Sequence, residues 1–170
     1  MPADSISLDK AKQDKLFYFV ANAIVVRRSD MRCLILKRHP REKVHPGRYG
    51  VPGGKLEWND LDLQNPSRMN GDVIDFQNAI EKLLVREAKE EANVDIDPDH
   101  MRYINSNAFI RPDGIPVVLV KFATEYKGGD IKLEEGAFTD YAWVNADEVK
   151  KYACIDGVEE EIIRSIELFS

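Results

Sequence analysis

Residues 76–94 read FQNAIEKLLVREAKEEANV, and where the acids fall in this stretch decides the fold and the chemistry. At about 100° per residue, with Leu84 at zero, Ile80, Leu83, Ala88, Phe76 and Val94 lie between about −100° and +40°. They define a face that must be buried. Lys82 and Lys89 land near 150°, on the solvated side. Glu91, at about −20°, and Glu87, at about −60°, fall inside the apolar arc, with Glu90 at its edge near −120°. An unpaired carboxylate on a buried face is destabilising, so these acids need a partner. A divalent cation is one, because hard cations prefer oxygen donors and the i, i+3, i+4 spacing gathers all three acids within one helical turn. A solvated helix with salt bridges among Arg86, Lys89 and the glutamates is the other. Asp75 is the expected N-cap and Asn93 the expected stop, since asparagine tolerates the left-handed conformation.

Upstream, Leu16–Val26 (LFYFVANAIVV) is rich in β-branched and aromatic residues and reads as a buried strand. Residues 27–30 form a turn, and Cys33–Leu36 its hairpin partner. Prolines and glycines break regular structure from Arg38 to Trp58, and the polar run 58–75, with Pro66 and Gly71, reads as an exposed loop. Downstream, strands are expected at 102–110 and 116–125 about the turn Arg111–Gly114, a short strand at Tyr141–Val144, and helices at 146–152 and 157–168. Residues 1–15 read as a polar arm. No repeat or linker divides the rest, so 16–170 is expected to form one α+β domain, a mixed sheet sandwiched between helices.

Composition narrows the function. Lys and Arg number 24 against 30 Asp and Glu, a net charge of −6, which argues against a nucleic-acid backbone as partner. It leaves room for a phosphate-bearing small molecule if cations screen the acids. No apolar run reaches the roughly 20 residues needed to span a bilayer, and the N-terminus lacks a signal-peptide core, so no membrane partner and a cytoplasmic address are expected. Cys33 and Cys154 lack metal-ligand spacing and read as reduced thiols.

Arg86-Glu87-Ala88-Lys89-Glu90-Glu91-Ala92-Asn93-Val94, preceded by Pro52-Gly53-Gly54-Lys55-Leu56-Glu57, resembles the box of the Nudix hydrolases. That box runs glycine, five residues, glutamate, seven residues, Arg-Glu, an apolar residue, any residue, Glu-Glu, any residue, glycine, an apolar residue. The approach Pro46–Gly54 and the ending Tyr141–Val144 are also similar to the family, so the resemblance spans most of the chain from about residue 17. Three departures stand out. Gly54 and Arg86 are 86 − 54 = 32 positions apart instead of 14, an excess of 18 read as an insertion following Glu57. Counting back eight from Arg86 places Asn78 where the family has its first glutamate, with Asp72, Asp75 or Glu81 as substitutes, and Asn93 replaces the last glycine.

The resemblance implies a Mg²⁺-dependent hydrolase, with Mn²⁺ substituting, that cuts a phosphoanhydride bond in a nucleoside triphosphate, nucleotide sugar or dinucleotide. It implies Glu87, Glu90, Glu91 and the Gly54 carbonyl as metal ligands. Glu87 is third ligand or general base, Arg86 orients the carboxylates, and Glu134 or Glu135 is a candidate further acid. Gly53, Gly54, Lys55 and Glu57 are the expected substrate-binding residues. The basic run Lys37–Arg48, with His39 and His45, faces either phosphates or water. Trp58 reads as a packing residue, and Asp60, Asp62 and Asp72 are expected to face water. The insertion is a candidate lid or homodimer contact. The alternative to an enzyme is the same fold as an inactive nucleotide- or protein-binding module.

Overall fold

The computed structural model describes residues 16–170; the polar arm expected at 1–15 lies outside the described residues. In chain order the strands are β1 (Tyr18–Arg27), β2 (Arg32–Arg38), β3 (Tyr49–Gly50), β4 (Gly53–Lys55), β5 (Arg68–Asn70) and β6 (Val73–Asp75). After helix α1 (Ala79–Ala92) come β7 (Asp95–Ile96), β8 (Arg102–Ile110), β9 (Pro116–Gly128), β10 (Phe138–Val144) and helix α2 (Val158–Phe169). The main sheet runs β10-β2-β1-β9-β7, with β3 on β2, β4 on β1 and β8 on β9. β1 and β9 are parallel and the other pairs of this sheet antiparallel, so the sheet is mixed, as expected.

β1 and β2 are apolar almost throughout because both faces of the sheet are covered. Ala21, Ala23, Val25, Leu34 and Leu36 enter one core with Leu83, Leu84, Ala88 and Ala92 of α1. Ile24, Val26, Cys33 and Ile35 enter the other with Val158, Ile162 and Phe169 of α2. Each strand therefore feeds both cores in alternation. Both cysteines are free, Cys33 buried and Cys154 half-buried.

The local expectations shift in four places. Helix α1 starts at Ala79, and Asp75 does not cap it: Asp75 ends β6 and pairs with Arg68 at 2.7 Å. Asn78, at φ 60°, turns the chain into the helix, and Asn93, at φ 56°, ends it as expected. The 58–75 segment is not structureless, since it holds a 3-10 turn at Trp58–Asp60 and the exposed hairpin β5–β6. The helix expected at 146–152 shrinks to a 3-10 turn, Val149–Lys151. There the Asn145 side chain accepts the N–H groups of Asp147 and Glu148, and the chain then runs extended to bond Tyr49 through Ala153 and Ile155. β10 begins at Phe138, three residues before its visible alternation, because a register shift between Phe138 and Asp140 breaks the pattern. Among the described residues no helix is long and apolar enough to cross a membrane.

Leu84 is fully buried at the centre of the α1 core. Leu84→Ala is expected to lower stability by roughly 2–5 kcal/mol. In urea titration the midpoint should fall while the slope stays constant.

Candidate active site

β4 is a strand of three residues wedged between β1 and α1, and its glycines allow that fit. A Cβ on Gly53 would collide with the Ala21 carbonyl and the Asn22 side chain, and one on Gly54 with the Glu87 carboxylate. Across this contact the Gly53 N–H donates to Glu91 Oε2 at 3.0 Å. Arg86 holds Glu87 at 2.9 Å and Glu90 at 3.2 Å. The wheel therefore places Glu87 and Glu91 correctly, turned toward the glycines of β4, while Glu90 lies further out: its side chain is 56% exposed against 15% for Glu87.

Crowding of carboxylates makes the site electrostatically tense. Burial lifts Glu87 above the usual carboxylate range, with Arg86 opposing and Glu90 adding to the rise. Burial pushes Glu91 up to about 8, against the Gly53 N–H and Arg38 and with the help of Glu87 and Glu134. Glu134 is the acid from the 133–136 segment that reaches this site, and its backbone N–H bonds the Glu91 carbonyl at 3.0 Å. Glu135 is exposed. Glu57 also points outward, 3.9 Å from Lys55.

Beside the acids opens a cavity of about 660 Å³. Gly53, Gly54, Lys55 and Glu91 form one end, and the α2 side of β1, β8 and β9 forms the floor. Arg38 and His45 come from the basic run and border it, whereas Arg48 pairs with Asp156 at 3.0 Å and His39 accepts the Arg41 N–H. Burial, with Arg38 and Arg48 nearby, holds His45 below the usual imidazole range. Trp58 is exposed and outside the cavity lining.

A family model described as NUDIX domain matches residues 18–165. The chain belongs to the Nudix family. Its fold is similar to a MutT NUDIX hydrolase from Burkholderia pseudomallei (18% identity, 87% of this chain and 97% of that one, TM-score 0.63). It is similar also to a MutT protein from Methanosarcina mazei (17%, 92% and 98%, TM-score 0.63). The NUDIX domain of Shewanella oneidensis NrtR, solved with ADP ribose, matches at 14% identity over 96% of both chains, with a TM-score of 0.67. No curated protein sequence matches significantly. As a Nudix protein the chain is a pyrophosphohydrolase, of a family that generally uses a divalent metal.

The box has an acid after all when it is counted from the other end, an aspartate in place of the family's glutamate. Five residues follow Gly54, and the sixth position is Asp60. Asp60 Oδ1 lies 3.4 Å from Arg86 Nη2, and its side chain is only 20% exposed. This corrects two expectations: Asp60 does not face water, and Asn78 is not the box position. The 3-10 turn is the cause, because the Glu57 N–H donates to Asp60 Oδ2 at 2.8 Å and folds the acid back toward α1. The 18 extra residues then follow Asp60, at 61–78, and residues 79–85 supply the family's seven before Arg86. Counting forward from Gly54 would have found Asp60 in the sequence.

Among the described residues no three His, Cys, Asp or Glu side chains are already gathered round one ion position. The donor set nonetheless suits a hard cation: Glu87, Glu90, Glu91 and Glu134 repel one another, and Arg86 and Arg38 offset them only in part.

Two outcomes follow. Glu91 titrates near 8 when folded and near its ordinary 4.5 when unfolded, so the folded state holds the extra proton between those values. Metal-free stability is full below about 4.5 and falls as pH rises toward about 8. Glu91→Gln in EDTA should therefore raise the calorimetric midpoint at pH 8, by roughly 1–3 kcal/mol of stability, and do much less at pH 5. Asp60→Asn should lower kcat roughly tenfold at nearly constant KM, a change on the order of 1.4 kcal/mol. Asp60→Glu should retain most of the rate, and Asn78→Ala should match the parent.

Proposed function

We propose that the chain hydrolyses a phosphoanhydride bond of a nucleoside diphosphate derivative with Mg²⁺, Mn²⁺ substituting. One observation carries this reading: the carboxylates of Glu87 and Glu91 converge on Gly53-Gly54, and that strand and Glu91 form one end of a cavity large enough for a nucleoside. Glu90, Glu91 and the Gly54 carbonyl hold the metal, and Glu87 serves as third donor or proton acceptor. When bound, the ion neutralises phosphate charge and acidifies the attacking water. Arg86, anchored by Asp60, keeps Glu87 and Glu90 in register. Lys55, Arg38 and His45 on the cavity wall bring donors and positive charge to the phosphates. Glu134 is the additional acid of this reading, on its backbone bond to Glu91, and Glu57 lies outside the cavity lining.

The binding-module alternative draws its support from Asn78 at the box position and from the interrupted box; Asp60 beside Arg86 weakens the first, and the interruption stays. A release assay decides between them. Nucleoside triphosphates, dinucleoside polyphosphates and nucleotide sugars are incubated with Mg²⁺ and then Mn²⁺. Metal-dependent release of pyrophosphate or phosphate from a triphosphate, or of a nucleotide from a nucleotide sugar or dinucleoside polyphosphate, is expected, reduced at least about a hundredfold in Glu90→Gln and Glu91→Gln. Tight binding without turnover across the panel would establish the module instead.

A further inference from the structure

Strand β8 has β9 on one side and, among the described residues, no strand on the other. Its register sorts the side chains. Asn105, Asn107 and Phe109 lie in rows with Lys121, Leu119 and Val117 of β9, on the face that floors the cavity. The irregularity between Tyr103 and Asn105 puts Tyr103 on the opposite face, with Ser106, Ala108 and Ile110. Helix α1 covers that face over Ala21, Ala23 and Val25 of β1. Toward β8 the cover thins, and Tyr103 is 56% and Ile110 74% exposed. Beside Ile110 a cleft of about 270 Å³ is lined by apolar residues alone, among them the exposed Leu16 and Phe17.

An open strand edge is a template for further pairing, and proteins blunt it with charges, prolines or a covering element. β8 carries neither charge nor proline from Tyr103 to Ile110, although 32% of the chain is charged. The arginines at its two ends are engaged, Arg102 with the Leu168 carbonyl and the Phe169 ring, Arg111 with Asp113. At roughly 150–250 Å² for a large side chain, Leu16, Phe17, Tyr103 and Ile110 leave on the order of 450 Å² of apolar surface uncovered. The open backbone of a nine-residue strand brings this to ~700–800 Å², close to what each partner of a stable complex buries.

We propose that β8 pairs antiparallel with β8 of a second copy of this chain, about a two-fold axis at Asn107. The strand is self-complementary about that point. Measured against β9, Tyr103 lies opposite Phe122, Asn107 opposite Leu119 and Ile110 opposite Pro116, so the two apolar residues flank Asn107 evenly (122 − 119 = 119 − 116 = 3). Tyr103 of each copy therefore meets Ile110 of the other. A foreign strand closes one edge, whereas the two-fold contact closes both. Residues 1–15, six of them charged, make a poor cover for an apolar face. The inserted hairpin exposes Met69 and Val73 but sets Arg68, Asp72 and Asp75 among them. Phe109, Ile110 and Val117 line both the cleft and the cavity, so the second copy stands at the cavity mouth.

Sedimentation velocity of the full chain, from about 1 to about 100 μM, tests the proposal. The parent is expected to sediment as a dimer, with the outward amides of β8 protected from hydrogen exchange. Ile110→Lys and, separately, Tyr103→Lys each place a charge in both halves of the contact. Each is expected to weaken dimerisation at least about tenfold and to free those amides, with the parent's cooperative melt retained. Val73→Lys, on the inserted hairpin, should leave the dimer intact. A parent that stays monomeric at about 100 μM overturns the proposal. Protected β8 amides in that monomer assign the face to a segment of the same chain, and open ones to a foreign partner. A dimer that survives both β8 variants, or that Val73→Lys disrupts, overturns it as well.

Discussion

The space between strand β4 and helix α1 has room for hydrogen atoms and no more. Gly53 meets β1 on one side, Gly54 meets the Glu87 carboxylate on the other, and a side chain at either position would push the layers apart. Everything at the site follows from that closeness. It buries two acids that water would otherwise solvate, places a backbone donor against Glu91, and sets the floor strands next to the acids. The chain tolerates a local loss of stability where it gathers negative charge. A cation that binds the folded state returns that loss through mass action.

The two faces of the sheet are treated differently. Toward α1 the packing is apolar from Ala21 to Ile96, and the acids lie at its rim. Toward α2 the core stops at Ile24 and Ala123, and the same strands continue as the floor of an open cavity. Strand alternation links the two: β1 lends alternate residues to the α1 core and the rest, from Tyr18 to Asn22, to the cavity.

Features with strong periodicity were legible in the sequence. The doubly buried β1, the inward acids of α1, the Asn93 stop and the single α+β layering needed only spacing and residue type. Features that depend on distant partners were not. Phe138 joins β10 through an irregular register, and the 146–152 stretch is drawn out of helix by its bonds to Tyr49. Asp60 was hidden by a counting choice, since the insertion separates it from Arg86 in sequence and the 3-10 turn restores them in space. Lys121 lies in the middle of an apolar strand, and nothing local distinguishes a buried, paired lysine there from an exposed edge residue.

The parallel pairing of β1 with β9 has a consequence for assembly of the chain. Partners across it are 117 − 18 = 99 residues apart, whereas Arg27 and Arg32 of the first hairpin are 32 − 27 = 5 apart. Closing the longer loop forfeits roughly 2.5–3 kcal/mol more chain entropy, from the logarithm of that ratio. The hairpins β1–β2 and β8–β9 are inexpensive by comparison, and the seam between them is a demanding contact for the nascent polypeptide, as is β10 on β2, where Cys33 and Val144 are 144 − 33 = 111 residues apart. The rows that line the cavity straddle this seam, so the binding floor comes into being only when the two halves of the chain have joined.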